Sequence, residues 1–302
     1  MNSSSKLGGA VVPLVTPATA SGQLDLDALD RLLESQIAGG VEGVLLLGTT
    51  GEGPCVPRAL CQPLIKHAAG IAGKRLLIYA NVAENSLADT IASAKKFMAA
   101  GAEAVAALPP FYFPLRPVEL TAWFSALLDA APGPVVIYNI PLTTRVSIPL
   151  DVIGELVGHP SLVGIKDSEN DPKRHNELLQ RFGGRKDFSI FIGVGALMAQ
   201  GLKSGADGIV PSMGNLIPKD CQQQVEAGRR QDWAAVDALA VRQAEVGAVY
   251  QKGRTLPQSL AALKGLLHHR GLCSPHVFPP LLPMSAAELE SLGGELAALN
   301  LQ

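Results

Sequence analysis

Eight short runs rich in Val, Ile and Leu recur along the first three quarters of this 302-residue chain, each followed by a longer stretch with helical spacing. The runs fall at 9–15, 43–48, 75–81, 104–108, 135–140, 162–166, 188–193 and 208–210. Strands buried on both faces of a parallel sheet read as near-continuous apolar runs, not as alternating ones. The intervening helical stretches are 25–36, 57–71, 86–99, 117–129, 149–157, 171–181, 196–203 and 218–227. Several open on an Asp or Ser suited to N-capping or carry Pro in the first turn. Gly39, Gly101 and Gly205 sit just past helix ends, where a left-handed C-cap is expected.

Eight βα units can close into a barrel or lie in an open, doubly wound sheet, both with right-handed crossovers. No GxGxxG turn follows the first run and no inserted segment interrupts the series, which favours closure. The predicted fold is therefore α/β, a (β/α)8 TIM barrel over residues 1–228. From Trp233 onward the strand signal stops, and apolar residues recur at helical spacing through 235–250, 256–267 and 286–299. This predicts a C-terminal helical extension over 229–302, with the proline-rich 275–283 as a connector.

With 47% hydrophobic and 17% charged residues, the chain can bury a large core. Twenty-five basic and 27 acidic residues leave a formal net charge of -2 without long like-charge blocks, so no nucleic-acid partner is expected. No run approaches the roughly 20 apolar residues that span a bilayer, so no membrane partner is expected either. A small-molecule substrate is the default. Cys55, Cys61, Cys221 and Cys273 form no CxxC pair and no grouping with histidine, which suits reduced thiols, a cytoplasmic protein and no metal site. The six histidines lie mostly in helices or loops away from the strand ends.

In barrels of this kind the working groups come from the C-terminal ends of the strands and the loops beyond them. There the sequence reads GTTGEG at 48–53, PPFYF at 109–113, YNIP at 138–141 and GIKDS at 164–168. Lys166 is the central residue. A lysine inside an apolar strand must pair or lose its charge, and the uncharged amine is the form that attacks a ketone. Alternation places Gly164 and Lys166 on one face and Asp167 on the other. An ion pair with Asp167 or Glu169 at the rim is the competing reading. Tyr138, at the end of the adjacent strand, can move protons during addition to a carbonyl. Thr49 and Thr50 offer hydroxyls and backbone N–H groups to a carboxylate. The Gly193-Val194-Gly195 turn is read as a turn in preference to a phosphate site.

These motifs, with PLVTP at 13–17 and GADGIVPSMGN at 205–215, resemble in order and spacing the dihydrodipicolinate synthase and N-acetylneuraminate lyase family of pyruvate-dependent class I aldolases. The resemblance implies a Schiff base on Lys166, Tyr138 as acid/base, Thr49 as proton relay and Thr50 as a holder of the pyruvyl carboxylate. It implies no cofactor beyond that covalent lysine Schiff base. Gly193 and Val210 match positions lining the pyruvate pocket. Tyr112 matches a tyrosine that completes the relay from a neighbouring subunit, which implies a homo-oligomer, usually a dimer of dimers.

Two departures bear on the second substrate. The resemblance places an Arg two residues after the YNxP proline in the synthases that use aspartate semialdehyde; here that position is Thr143, and the nearest guanidinium is Arg145. A hydroxyl does not replace a bidentate Arg–carboxylate contact. Asp167 stands where Glu is usual and the tail carries PPLLP at 279–283, and both resemble 2-keto-3-deoxygluconate-type aldolases more closely. The first reading is thus an aldolase or lyase of 2-keto-3-deoxy sugar acids, with Thr143 and Arg145 near the second substrate. Dihydrodipicolinate synthase is the alternative, then N-acetylneuraminate lyase. A non-catalytic effector-binding homologue is the reading from another class.

Overall fold

A computed structural model describes residues 6–299; residues 1–5 and 300–302, at the ends of the two predicted regions, lie outside them. Eight parallel strands form a closed barrel in sequence order. They are β1 (Gly9–Pro13), β2 (Gly43–Leu46), β3 (Leu77–Val82), β4 (Ala104–Ala107), β5 (Val135–Asn139), β6 (Leu162–Asp167), β7 (Ser189–Ile192) and β8 (Gly208–Ile209), with β8 pairing back onto β1. The helices between them are α1 (Leu26–Ala38), α2 (Arg58–Ala72), α3 (Leu87–Ala99), α4 (Pro117–Ala130), the one-turn α5 (Pro141–Thr144), α6 (Leu150–Leu156), α7 (Pro172–Phe182) and α8 (Met198–Lys203). After β8 come α9 (Pro218–Arg229), α10 (Trp233–Gln251), α11 (Leu256–His269) and α12 (Ala286–Ala298). Six of the predicted runs overshoot their strands by one or two residues, β3 and β6 instead run one residue past their predicted ends, and α5 has no counterpart in the predicted series.

Each strand buries both faces, which is why its sequence shows no alternation. The outward face packs on the helices, as Val12, Val44, Ile78 and Ile165 do. The inward face fills the barrel with Val11, Leu45, Tyr79, Val136, Phe191 and Val210 among others. Two large rings, Tyr79 and Phe191, meet edge to face with centroids 6.5 Å apart. Gly43 and Gly208 make room for them, because a Cβ there would stand 2.9 Å and 2.8 Å from the respective rings.

Asp25, Ser86 and Asp171 cap α1, α3 and α7 through their side chains. Gly101 and Gly205 adopt the expected left-handed conformation. Gly39 does not: its φ is -73°, and the left-handed turn falls on Gly40. The reason for glycine at 39 is packing, since a Cβ would lie 2.6 Å from Pro218 Cβ at the start of α9.

Beyond the barrel, α10 lies against α9 and α8, and Lys203 joins Asp237 at 2.6 Å. Tyr250, near the end of α10, shares a 2.6 Å hydrogen bond with Ser212 in the loop after β8. The C-terminal helices therefore reach back to the end of the barrel where the strands finish. No helix among the described residues is long and apolar enough to cross a membrane.

Candidate active site

The C-terminal ends of the strands open into a cleft of about 550 Å3, within the range of small-molecule sites. Lys166 stands at its floor. Register pairs Lys166 directly with Tyr138 across β5 and β6, and alternation turns both side chains inward. Lys166 is 5% exposed and Tyr138 2%. The amine lies 3.7 Å from the centre of the Tyr138 ring, and the phenol shares a 3.2 Å hydrogen bond with Thr49 Oγ1. Beneath the amine is a void of about 20 Å3 with apolar walls that include Val11, Leu45 and Phe191.

The rim ion pair considered for Lys166 does not form: no carboxylate lies within ion-pair distance of its amine among the described residues. Asp167 points outward, where its carboxylate accepts from Arg174 Nε at 2.8 Å, His175 Nε2 at 3.3 Å and the Glu169 N–H at 2.9 Å. Burial alone would push the Asp167 carboxyl up. The hydrogen bond from His175 and the charge of Arg174 outweigh it and hold the group below the usual carboxylate range. Glu169 is occupied by Asn139, Ser147 and Arg174. One strand thus sends a free amine inward and a fully paired carboxylate outward.

Thr49 and Thr50 line the cleft from the turn after β2. That turn is tightly wound. Leu47 and Glu52 have φ of 58° and 57°, and a Cβ on Gly53 would overlap the Leu47 carbonyl oxygen at 1.7 Å. Gly193 lies beside the lysine: a Cβ there would stand 2.0 Å from Ser168 Oγ and 3.2 Å from Lys166 Cε. Val210 completes this wall.

The structure separates the remaining candidates from this group. Tyr112 lies on an exposed loop, 76% accessible, with its N–H bound to Asn85 Oδ1. Thr143 is exposed on α5, its hydroxyl donating to the Ile140 carbonyl at 3.3 Å. Arg145 ends α5 in a left-handed conformation, exposed, and its guanidinium has no partner among the described residues. None of the three lines the cleft, whereas their neighbours Pro141 and Leu142 do.

Several lining residues were given no role from the sequence. Ser168 closes the lysine motif, Asn170 follows it, and Ser212 lies in the 205–215 motif after β8. Gln251 and Leu256 come from α10 and α11, roughly the last place in the chain that strand-end logic would search. Among the described residues, no group of three His, Cys, Asp or Glu side chains could hold a metal ion. His175 is buried against Asp167, while His67 and His159 pair with Asp30 and Asp129.

Comparison with known proteins agrees with this geometry. The sequence profile of the dihydrodipicolinate synthetase family matches residues 6–299. A 4-hydroxy-tetrahydrodipicolinate synthase of Xanthomonas campestris pv. campestris is 32% identical over 282 residues, covering 93% of this chain and 91% of that one. Among solved structures, dihydrodipicolinate synthase from Bacteroides thetaiotaomicron superposes with a TM-score of 0.92 at 30% identity, over 97% of this chain and 98% of that one. The pyruvate-complexed dihydrodipicolinate synthase from Acinetobacter baumannii gives a TM-score of 0.90 at 26% identity, over 98% and 100%. The names of these relatives favour the synthase, the alternative drawn from the sequence, over the sugar-acid aldolase. A match running the length of a (β/α)8 barrel with an inward lysine at its mouth has one meaning: the chain belongs to the dihydrodipicolinate synthetase family, class I aldolases that hold pyruvate as a lysine Schiff base without an external cofactor.

Proposed function

We propose that this chain makes and breaks a carbon–carbon bond next to a pyruvate unit held on Lys166, with a polyhydroxylated aldehyde as the other partner. The Lys166 amine attacks the C2 ketone, and the carbinolamine loses water to give an iminium. Tyr138, relayed by Thr49, removes the proton of the C4 hydroxyl. The C3–C4 bond then breaks, its electron pair passes to the iminium nitrogen, and an aldehyde leaves with the enamine still on Lys166. Protonation at C3 and hydrolysis release pyruvate. The same steps run backwards for synthesis. Thr50 and the N–H groups of its turn receive the carboxylate.

The observation that carries this reading is an amine with no ion-pair partner against Tyr138, in a cleft that among the described residues has no second cation in its lining. The polar lining is otherwise hydroxyls, amides and the Glu169 carboxylate, partners for a hydroxyl-bearing chain. Pyruvate with borohydride is expected to add a reduced pyruvyl mass at Lys166, and 2-keto-3-deoxy sugar acids are expected to release pyruvate. An unmodified Lys166 overturns the mechanism.

The relatives' names favour a second reading, 4-hydroxy-tetrahydrodipicolinate synthase, whose aldehyde carries its own carboxylate. Against it stands Thr143, where the resemblance places the gripping Arg. Coupled turnover of pyruvate with aspartate semialdehyde separates the two: turnover above that of any sugar acid assigns the synthase.

Tyr112 supports an oligomer in this reading, because it is exposed beside Phe111 and Phe113 and absent from its own chain's cleft. A dimer or tetramer by sedimentation is the expected result, and a monomer with full activity overturns it. Four unpaired thiols accord with a cytoplasmic setting.

A further inference from the structure

One buried ion pair ties the C-terminal helices to the catalytic turn. Glu52 follows Thr50 by two residues and is 2% exposed; Lys264, in the middle of α11, is 0% exposed. The Lys264 amine touches Glu52 Oε1 directly. The other carboxylate oxygen, Oε2, accepts the Phe278 N–H at 2.7 Å. Lys264 also donates to the His276 carbonyl at 2.7 Å and stands 5.5 Å from the centre of the Phe278 ring. Two charges, a helix and the 276–278 segment thus converge on one residue of the turn.

An apolar pair of similar volume would serve packing as well or better, because desolvating two charges offsets most of their attraction. What the pair adds is a single geometry. The turn needs one, since Leu47 and Glu52 both hold left-handed backbone that side chains disfavour, and such conformations persist only where surroundings over-determine them. Between these two residues lie Thr49 and Thr50. The Glu52 N–H donates to the Thr49 carbonyl at 3.1 Å, and Thr49 Oγ1 meets the Tyr138 phenol at 3.2 Å. Any movement of Glu52 passes through one hydrogen bond to Thr49 and through the next to Tyr138.

We propose that Glu52 and Lys264 are positioning residues that hold the Thr49–Thr50 turn in its pyruvate-receiving shape, making the C-terminal helices part of the active-site scaffold. This rests on the Schiff-base reading of Lys166. The test measures borohydride trapping of pyruvate at Lys166 against pyruvate concentration, alongside Tm, in the full chain. The variants are Glu52→Gln, Lys264→Met and the two combined.

Each single variant leaves one buried charge unpaired. It is expected to lower Tm and to raise the half-saturating pyruvate concentration about tenfold, a loss in scale with sub-ångström misplacement of substrate-holding groups. The double variant removes both charges at nearly constant volume. Its Tm is expected to return close to that of the unaltered protein while its half-saturation stays raised. A pair with a purely structural role would restore both together, and that result overturns the proposal. Half-saturation unchanged in every folded variant overturns it too. If the unaltered protein is not labelled at Lys166, the Schiff-base reading falls and the proposal with it; labelling with unaffected variants refutes the proposal alone.

Discussion

Replacing Gly193 with alanine probes the space around Lys166 with one methyl group. The new Cβ would lie 2.0 Å from Ser168 Oγ, 3.1 Å from Ser168 Cβ and 3.2 Å from Lys166 Cε. Ordinary carbon contacts begin near about 3.5 Å, so the hydroxyl must rotate away and the lysine stem must move by a few tenths of an ångström. Overpacking of this kind costs roughly 1–3 kcal/mol, which in a chain of this size lowers Tm by roughly 2–5 °C. A displacement of about 1 Å at a reacting group costs about 100-fold in rate, so shifts of a few tenths are expected to slow pyruvate trapping at Lys166 about tenfold. The backbone φ at Gly193 is not left-handed, so the effect is steric and not conformational. Adding Ser168→Ala removes the worst overlap but leaves the lysine contact. The double variant is expected to recover most of the Tm and little of the trapping rate. The assays are thermal unfolding and time-resolved borohydride trapping read by mass spectrometry. Trapping by Gly193→Ala at the unaltered rate would refute the inference that Gly193 exists to clear Lys166.

Tyr138→Phe keeps the ring under the Lys166 amine but removes the hydroxyl bonded to Thr49, so turnover is expected to fall by roughly 10²–10⁴ while slow labelling of Lys166 survives; steady-state kinetics beside trapping check this. Thr143→Arg adds a guanidinium on α5 and is expected to raise kcat/KM for aspartate semialdehyde relative to hydroxyl-bearing aldehydes; an unchanged ratio argues against a role for this position in substrate choice. Asp167→Asn removes the buried carboxylate from Arg174, leaving it the partly exposed Glu169, and is expected to cost roughly 1–3 kcal/mol at neutral pH. Because the native Asp167 carboxyl is depressed, its contribution is complete above the ordinary carboxylate value of about 4 and lost as pH falls through the lower native value. The Tm difference between the two proteins should therefore be widest near neutrality and close in acid, and a gap independent of pH would contradict the assignment.

The barrel was legible because each strand buries both faces, which leaves eight unbroken apolar runs with helical spacing between them. The pairing of Lys166 with Tyr138 was legible for the same reason: adjacent strand ends and a period of two bring them to one face. Gly39 shows where local logic stops. It follows α1 as a C-cap glycine would, yet its smallness answers Pro218, 179 residues later, and Gly40 makes the turn. The one-turn α5 was invisible because four residues carry no period. Thr143 and Arg145 sit beside the cleft in sequence and outside its lining in space, since α5 turns Pro141 and Leu142 inward in their stead.

By itself, the sequence determined the fold class, the eight strand ends and the lysine that stands on one of them, because burial and periodicity are local properties of the chain. Only the tertiary structure decided that Asp167 is consumed by Arg174 and His175, leaving the Lys166 amine free. Only it joined Glu52 to Lys264 across 212 residues and brought Gln251 and Leu256 to the cleft. The physical reason is that a charge is read from sequence as solvated until its burial is known. Which charges are buried, and against which partners, is a property of the closed barrel and the helices that fold back over it.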